Sequence, residues 1–464
     1  MHVGTQRCCA PTEQRKEDAM QGKKPKAVLV PFGYPGYPDS YLTRFTEESV
    51  EALKGLGIDL RCSPIVKVRS DTAEARKILR EDAPDFLIVL ILSWIEAPNV
   101  IDVVDEFSEG PILLWSHTMF KEDGEWMTLG PMPGAGVIRQ AFEELGLNFK
   151  FVYGMPDEEK VRREIGLFAR AASVAHRLRH STVGLLGYAS MGMYTACFDH
   201  LPLREKLGVE VQHMDQYVVV KRIEEMEDEQ VEGLVKEAKE NWEIGQGVTD
   251  RDLTISLKMY RTLKDLVEEF GWSGLQIKCQ YELSKYYKSV PCIPLSMLGN
   301  EVPCSCEGDI PLIVTQLMLH YLTDLIVGYG DIHTVEEDRI LIGACGYAPF
   351  GLCDGRPKVG KTEVLYEGVA NCSLYREGRV TLARLGYRRN RSFKMHIVTG
   401  EAKKPRPFRE VGCLSYPSME VILDGSGDDV AQNLTSQHYA IAYGDFRKEL
   451  LELCGLLSIE PKVT

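Results

Sequence analysis

The chain has 464 residues, of which 44% are hydrophobic, and it carries a formal net charge of −14 at pH 7. This length is sufficient for two to three domains with buried cores. The acidic balance argues against a nucleic-acid-binding surface, which requires clustered Lys and Arg, and no apolar run reaches the roughly 18 residues of a transmembrane helix. We therefore predict neither a nucleic-acid partner nor a membrane partner.

The first 25 residues are polar and lack the apolar segment of a signal peptide, so we predict a mobile tail over residues 1–25. The 13 cysteines are scattered and mostly lie within apolar runs, such as those at 277–279 and 451–454. Scattered cysteines of this kind are typical of reduced thiols in a cytoplasmic protein. Cys8-Cys9 and Cys304-x-Cys306 have no second pair at zinc spacing, and we interpret them as packing or incidental residues.

Short apolar strands alternate with amphipathic helices over residues 26–180. The predicted strands span 26–32, 60–68, 86–92 and 111–115, and the predicted helices span 42–56, 72–79, 99–107 and 135–145. Continuous apolar strands separated by helices indicate a doubly wound parallel sheet. Ligands of such sheets bind beyond the carboxyl ends of the strands, where Tyr34, Trp94 and His117 follow three of them. Ordinary polar loop chemistry is the alternative interpretation of these three residues.

A second α/β domain is predicted over residues 181–355. It follows a charged helix at 158–179 and contains strands at 182–188, 209–214 and 274–279, with helices around Leu203, over 220–241 and over 253–270. Met193 lies in the loop after the first of these strands. Lys278 and Gln280 emerge at the end of the last one, where Lys278 either contacts a ligand or is a simple surface charge.

Two acids in this region and one histidine from the C-terminal part of the chain form a candidate metal site. Glu307 is expected at the exposed tip of a loop, just before a helix over 312–327 that Asp309 caps. Asp331 lies between glycines past the end of that helix, and His438 follows about a hundred residues later. Two carboxylates and an imidazole suit a hard ion such as Mn²⁺ or Mg²⁺. Acids near glycine are also common turn residues, which is the alternative interpretation.

From residue 356 onward the pattern changes to short strands separated by turns. The predicted strands span 364–369, 378–385, 392–399 and 421–423, followed by a closing helix at 445–457, and they predict a C-terminal antiparallel sheet or barrel over 356–464. Residues 355–362 also match the phosphate-binding pattern G-x-x-x-x-G-K-[ST]. That motif requires a helix after the loop, whereas residues 363–369 alternate like a strand. A nucleotide-hydrolysing enzyme is therefore only a third interpretation. The position of Lys361, at a helix N-terminus or in a strand, decides it.

An ordered set of motifs resembles the L-fucose isomerase and L-arabinose isomerase superfamily from about residue 26 onward. The motifs are Lys-Cys at 278–279, Cys-Glu-Gly-Asp at 306–309, Gly-Asp at 330–331, Cys-Gly-x-x-Pro-Phe at 345–350 and His-Tyr-x-x-x-x-Gly-Asp at 438–445. The resemblance implies a metal-dependent aldose–ketose isomerase in which Glu307, Asp331 and His438 hold Mn²⁺, with Mg²⁺ or Co²⁺ as alternatives. It also implies a homo-oligomer, a trimer or hexamer, whose first domain lends loops to a neighbouring subunit.

Under this resemblance the small-molecule partner is a sugar. The chemistry then requires proton transfer between adjacent carbons through a cis-enediol, for which Glu307 and Asp331 are the candidate acid/base pair. The expected sugar contacts are Tyr34, Trp94, His117, Met193, Lys278 and Gln280, although Met193 equally suits a core or dimer interface.

One position departs from the family pattern. Many relatives carry a histidine immediately before the Cys-Gly pair, where this chain has Ala344. His333, two positions after Asp331, either substitutes for it or lies in a solvent-facing turn. The departure leaves open a second function class, a non-catalytic sugar-binding or regulatory protein on the same fold.

Overall fold

The computed structural model describes residues 24–362, 367–409 and 416–464. The predicted tail over residues 1–25, with Cys8 and Cys9, therefore lies almost entirely outside the described residues. The chain divides into two compact units. The N-terminal unit comprises residues 24–176 and Lys448–Leu457, and the C-terminal unit comprises the described residues of Arg177–Arg447 together with Ser458–Thr464.

A five-stranded parallel sheet forms the centre of the N-terminal unit, in the order β2-β1-β3-β4-β7. Its strands are β1 (Lys26–Phe32), β2 (Asp59–Cys62), β3 (Phe86–Ile91), β4 (Ile112–Ser116) and β7 (Phe149–Tyr153), and a separate hairpin consists of β5 (Phe120–Glu122) and β6 (Glu125–Met127). The helices are α1 (Asp39–Gly55), α2 (Thr72–Asp82), α3 (Ala97–Val104), α4 (Pro131–Glu144) and α5 (Glu159–Arg179). All residues of β3 are buried, as a strand covered on both faces requires. The predicted doubly wound domain is confirmed, with one additional strand, β7.

The C-terminal helix α13 (Arg447–Leu456) belongs almost entirely to the N-terminal unit. Lys150 Nζ in β7 lies 2.7 Å from Glu452 Oε2, and the Asn148 side chain donates a hydrogen bond to the Leu456 carbonyl. The sequence pattern predicts this helix as the closing element of the C-terminal domain, and no periodicity in it reveals the remote packing partner.

The C-terminal unit begins with a four-stranded parallel sheet in the order β12-β11-β8-β9. Its strands are β8 (Thr182–Leu186), β9 (Glu210–Met214), β11 (Gly274–Ile277) and β12 (Cys304–Cys306). Its helices are α6 (His200–Leu207), α7 (Tyr217–Glu225), α8 (Glu232–Asn241), α9 (Asp250–Phe270), α10 (Cys292–Leu298) and α11 (Ile310–Thr323). This arrangement confirms a second doubly wound layer.

The antiparallel region closes into a barrel. The strands follow the order β17-β20-β13-β14-β19-β18-β21, and β17 also pairs with β18. They are β13 (Gly328–Val335), β14 (Arg339–Gly343), β17 (Gly378–Tyr387), β18 (Phe393–Lys403), β19 (Ser418–Leu423), β20 (His438–Tyr443) and β21 (Glu460–Val463), and α12 (Gly427–Asn433) precedes β20. Closure removes the unpaired edges that an open sheet would expose. The predicted antiparallel β-rich region is confirmed, and it recruits β13 and β14 from before residue 356.

The phosphate-loop pattern does not form a phosphate loop. Lys358–Thr362 is strand β15, which pairs with β10 (Glu243–Ile244) and β16 (Gly368–Asn371). Lys361 lies in this strand, 3.4 Å from Asp252 Oδ2. Because the lysine is not at a helix N-terminus, the nucleotide-hydrolysing interpretation is wrong. Residues 363–366, which include part of the strand predicted at 364–369, lie outside the described residues.

A search of the described helices for a long apolar segment finds no candidate membrane span.

Candidate active site

Glu307 is held in a constrained backbone just beyond strand β12. Cys306 pairs with Ile277 in the parallel ladder, and Glu307 then adopts a φ of 74°, which is uncommon for a residue other than glycine. At Gly308, also at positive φ, a Cβ atom would lie 2.3 Å from the Tyr188 carbonyl oxygen. This close approach covers Glu307, which is 6% exposed, so the expected exposed loop tip is wrong. Backbone strain of this kind, at a residue that carries a carboxylate, is typical of a functional position.

Asp309 has two roles, of which only one is evident from the sequence. Its Oδ1 accepts a hydrogen bond from the Leu312 amide and so caps α11, as predicted. Its Oδ2 accepts hydrogen bonds from Arg384 Nη1 at 2.8 Å and from His438 Nδ1 at 2.7 Å. Burial favours a higher pKa for Asp309, but Arg384 and His438 outweigh it and hold the pKa below its usual value. Asp309 therefore remains charged and orients the His438 ring.

Glu307, Asp331 and His438 are brought together at the junction of two strands. Asp331 and His438 are direct partners in the antiparallel pairing of β13 and β20. His438 Nε2 lies 3.2 Å from Glu307 Oε2 and 3.2 Å from Asp331 Oδ1. One imidazole nitrogen thus faces one oxygen of each carboxylate, and two carboxylates with an imidazole are donors that could hold a hard cation. Asp331 lies within strand β13. The sequence pattern instead suggests a bend between glycines just past the helix.

Burial and neighbouring charges act in opposite directions on the pKa values of these groups. Burial disfavours the imidazolium form of His438, but Asp331, Asp309 and Glu307 more than offset it and raise the pKa of His438 to about 10. Burial raises the pKa of Asp331 to about 6, with a further contribution from the negative charge of Glu307 and against the effect of His438. The site thus has a negative potential that favours a positive charge at its centre, which suits a cation.

The other oxygen of Glu307 is held by neighbouring side chains. Gln280 Nε2 donates a hydrogen bond to Glu307 Oε1 at 2.6 Å, and Cys345 Sγ lies 3.5 Å from the same oxygen. Oε2 is therefore the oxygen that faces His438. Gln280 Oε1 is buried and has no hydrogen-bond partner among the described residues, which leaves an acceptor for a ligand hydroxyl.

Thiols surround the same carboxylate. The ligand atoms of Cys279, Cys306 and Glu307 lie within 4.8 Å of one another. Burial raises the pKa of Cys279 to about 12, so this thiol is protonated near neutral pH and is a poor ligand for a hard ion. The sequence pattern interprets Cys306 as a packing residue, and only the fold places it and Cys279 beside Glu307.

Lys278 and Met193 lie next to this cluster. Lys278, at the end of β11, is fully buried and donates a hydrogen bond to Tyr188 Oη at 2.8 Å. Met193 Sδ accepts a hydrogen bond from Gln437 Nε2, one residue before His438. The Met193 contact connects a predicted sugar-binding residue to the segment that carries His438, and the Lys278 contact connects another to the Tyr188 loop, which packs against Gly308.

Tyr34, Trp94 and His117 lie in the N-terminal unit, directly after β1, β3 and β4. The Tyr34 amide donates a hydrogen bond to Ser93 Oγ, which joins the first two loops. His117 is 2% exposed, its Nε2 lies 3.0 Å from Ser49 Oγ, and its Nδ1 has no partner among the described residues. Burial lowers the pKa of His117 to about 3, so this ring is neutral. The sugar-binding roles of the three residues stay predictions.

Ala344 stands at the position where many members of the resembled superfamily carry a histidine. Ala344 is fully buried, and its amide donates a hydrogen bond to the Pro417 carbonyl. His333 is half-buried within β13, at the irregularity between Ile332 and Thr334, so the expected solvent-facing turn is wrong. Burial lowers the pKa of His333.

Comparison with known proteins gives a consistent class. A sulfoquinovose isomerase of a Clostridium species is 24% identical over 446 residues, covering 94% of this chain and 99% of that protein. A sulfoquinovose isomerase of Priestia aryabhattai is 21% identical over 455 residues, covering 94% and 98%. No protein-family model matches.

A solved periplasmic solute-binding protein of Actinobacillus succinogenes, with bound D-allose, is 12% identical and covers 56% of this chain and 80% of that one. Its TM-score of 0.17 carries no argument.

The similarities over nearly the whole length indicate an enzyme of the aldose–ketose isomerase class. The non-catalytic alternative is not favoured.

Proposed function

We propose that this enzyme isomerises a sulfonated aldose of the sulfoquinovose type to the corresponding ketose, with a divalent ion such as Mn²⁺ held by Glu307, Asp331 and His438. The observation that carries the proposal is the 3.2 Å approach of His438 Nε2 to both carboxylates. The curated relatives named for sulfoquinovose support the substrate.

The donor set fits a hard ion because it consists of two carboxylates and one imidazole. Asp309 accepts a hydrogen bond from His438 Nδ1, so the other ring nitrogen, Nε2, is the ligand atom once Nε2 has lost its proton. When bound, the ion would supply a Lewis acid that polarises the sugar carbonyl and stabilises negative charge on oxygen.

The chain's own residues move the protons. Asp331 is suited to exchange a proton with the sugar carbon, since its carboxylate lies beside His438 Nε2 at the candidate metal site. Glu307 moves the hydroxyl proton between the two sugar oxygens through Oε2, while Gln280 fixes Oε1. Together the two carboxylates interconvert the aldose and the ketose through a cis-enediol.

Isotope exchange tests this mechanism. The protein is loaded with Mn²⁺, its bound metal is quantified, and solvent deuterium incorporation is followed in sulfoquinovose, D-glucose, L-fucose and L-arabinose. We expect label at the carbon next to the carbonyl of sulfoquinovose.

Glu307→Gln should lower bound Mn²⁺ and reduce exchange by more than about 100-fold. The matched control is Glu420→Gln, because Glu420 is an equally buried glutamate that pairs with Arg406 and Arg339 in the barrel. Failure of the loaded wild type to bind any divalent ion would overturn the three-residue site. Exchange only into the neutral sugars would overturn the proposed substrate.

The homo-oligomeric state stays a prediction that rests on the superfamily resemblance.

A further inference from the structure

The acid group of an acidic sugar requires a positively charged side chain as its counter-ion. The ion of the candidate metal site would bind the other end of the sugar, at its carbonyl. The described part of the chain contains three buried lysine or arginine side chains, Lys258, Lys278 and Arg384. Arg384 donates hydrogen bonds to the buried carboxylate of Asp309 and to the Thr195 carbonyl. Its charge is therefore paired with the aspartate that orients His438. Lys258, in helix α9, contacts the Asp228 carboxylate and donates a hydrogen bond to the Met226 carbonyl. Met226 directly follows helix α7, so this lysine does not lie at the ends of the strands.

Lys278 differs from the other two because its counter-ion is exchangeable. Its ammonium contacts the Glu282 carboxylate, whose side chain is 51% exposed, and Tyr188 Oη. The charge is also 4.1 Å from the centre of the Tyr188 ring and 5.3 Å from that of Tyr281. An ammonium has three donors, and only two are engaged by these side chains. An exposed carboxylate can separate from its cation and return to water at little free-energy cost, whereas separating a buried carboxylate leaves an unpaired buried charge.

Contacts connect Lys278 to the candidate ligands. The main chain of Tyr188 lies directly against Gly308, and the Ser190 amide donates a hydrogen bond to the Glu307 carbonyl. Gln280, two residues after Lys278, bonds to the Glu307 side chain. Lys278 is therefore connected to Glu307 through the Tyr188 loop and through Gln280, on the carboxyl-end edge of the sheet where ligands bind.

Two further observations mark this neighbourhood as a ligand site. Ser190 Oγ is fully buried without a hydrogen-bond partner among the described residues, as is Gln280 Oε1. Tyr281 has a φ of 71° and leads into a π-helical segment, Glu282–Tyr287. Strained backbone and π-helical turns are frequent at functional sites because the fold retains them against their energetic cost.

Resting on the proposed function, we infer that Lys278 is the counter-ion of the sulfonate and that Glu282 is a resident anion which the sulfonate displaces. The substrate class that the site selects is then a sugar with a permanently ionised acid at the end remote from its carbonyl. Ser190 and Gln280 offer polar atoms to the hydroxyl groups between the two ends.

Steady-state kinetics on the Mn²⁺-loaded full-length enzyme tests the inference. For Lys278→Gln we expect the KM for sulfoquinovose to rise about 10- to 100-fold with kcat changed much less, because hydrogen bonds to a charged group are lost in ground and transition state alike. Lys278→Arg should restore most of the loss. The matched control is Lys258→Gln, a buried lysine paired with an exposed acid elsewhere in the same unit, and its KM should equal that of the wild type.

Glu282→Gln separates recognition from mere structural support. If Glu282 competes with the sulfonate, its neutralisation should lower the KM for sulfoquinovose several-fold and leave that for D-glucose unchanged. A structural ion pair would instead give a higher KM or a less stable protein. An unchanged KM in Lys278→Gln, with wild-type turnover of sulfoquinovose, would overturn the inference and leave the proposed function intact. Absence of sulfoquinovose turnover in the wild type would overturn both.

Discussion

At the scale of single residues, Asp309 shows how one carboxylate serves both structure and chemistry. One oxygen caps α11, and the other accepts hydrogen bonds from Arg384 and His438. The first role follows from local sequence, since an aspartate before a proline-containing apolar run is a typical N-cap. The second requires Arg384 and His438, which are 75 and 129 residues away in the chain. No local pattern predicts it.

We predict that Asp309→Asn keeps the helix cap but weakens metal binding by about 10- to 100-fold, because a neutral amide is a poorer acceptor for the His438 Nδ1 proton and leaves Arg384 unpaired. Titration of Mn²⁺ monitored by its electron paramagnetic resonance signal measures the effect. Asp199→Asn is the control, since Asp199 caps α6 with its side chain and its ion-pair partner is Arg391 rather than a candidate ligand. Equal Mn²⁺ affinity in both variants would show that Asp309 acts only as a cap.

A second prediction concerns the close approach at Gly308. Gly308→Ala and Gly192→Ala both place alanine at positive φ, 71° and 67°, so both carry a backbone cost of about 1 kcal/mol. Only Gly308→Ala also drives a Cβ into the Tyr188 main chain, whereas nothing lies within 4 Å at Gly192. We expect Gly308→Ala to lose at least about 2 kcal/mol more stability and to lose Mn²⁺ affinity. Denaturant unfolding compares the two variants, and equal losses would contradict the predicted clash.

At the scale of elements, the barrel carries a buried histidine that makes stability depend on pH. His396 in β18 is hydrogen-bonded to Tyr439 Oη and Thr464 Oγ1. Burial, assisted by Lys394 and Lys462, lowers the pKa of His396 to about 4. The unfolded chain, with a histidine pKa of about 6.5, then binds the proton more readily than the folded one between about pH 6.5 and about pH 4. The stabilisation from this group is present above pH 6.5 and is lost as the pH falls through that window.

We predict that the wild type loses up to about 3 kcal/mol more stability than His396→Gln between pH 7.5 and pH 4. Glutamine retains hydrogen-bonding atoms but does not titrate, so the difference between the two proteins isolates the histidine. Urea unfolding at a series of pH values supplies the measurement. Parallel stability curves would show that folding leaves the pKa of the His396 ring unchanged.

At the scale of the whole molecule, the C-terminal helix stabilises a unit formed by the start of the chain. Leu453 in α13 is fully buried, whereas Leu451 on the same helix is 39% exposed. We predict that Leu453→Ala destabilises the N-terminal unit by about 2–5 kcal/mol and that Leu451→Ala has an effect below about 1 kcal/mol. Amide hydrogen exchange resolves where the loss falls. Faster exchange should appear in the five-stranded sheet, and faster exchange confined to the barrel would contradict the assignment of this helix.

The local sequence determines most of the secondary structure and the identity of the candidate ligands. Apolar runs predict β1 and β3 almost to the residue because a strand covered on both faces must be continuously apolar. Helix α9 is equally clear because Thr249 caps it and Gly271 ends it in a left-handed conformation. Glu307, Asp331 and His438 are predicted from motif order and family resemblance, which carry information about the site that periodicity does not.

The tertiary structure alone decides the environment of those residues. It buries Glu307 beneath the Tyr188 loop, converts the Asp331 turn into a strand paired with His438, and places α13 against β7. It also raises the pKa of His438 to about 10, because that value depends on Asp331 and on Glu307 and Asp309, which lie in two segments remote from His438 in the chain. Hydrophobic patterning specifies which face of an element is covered, since burial of apolar area is non-directional. The partner that covers it, and the charges that meet there, depend on contacts between residues far apart in the chain.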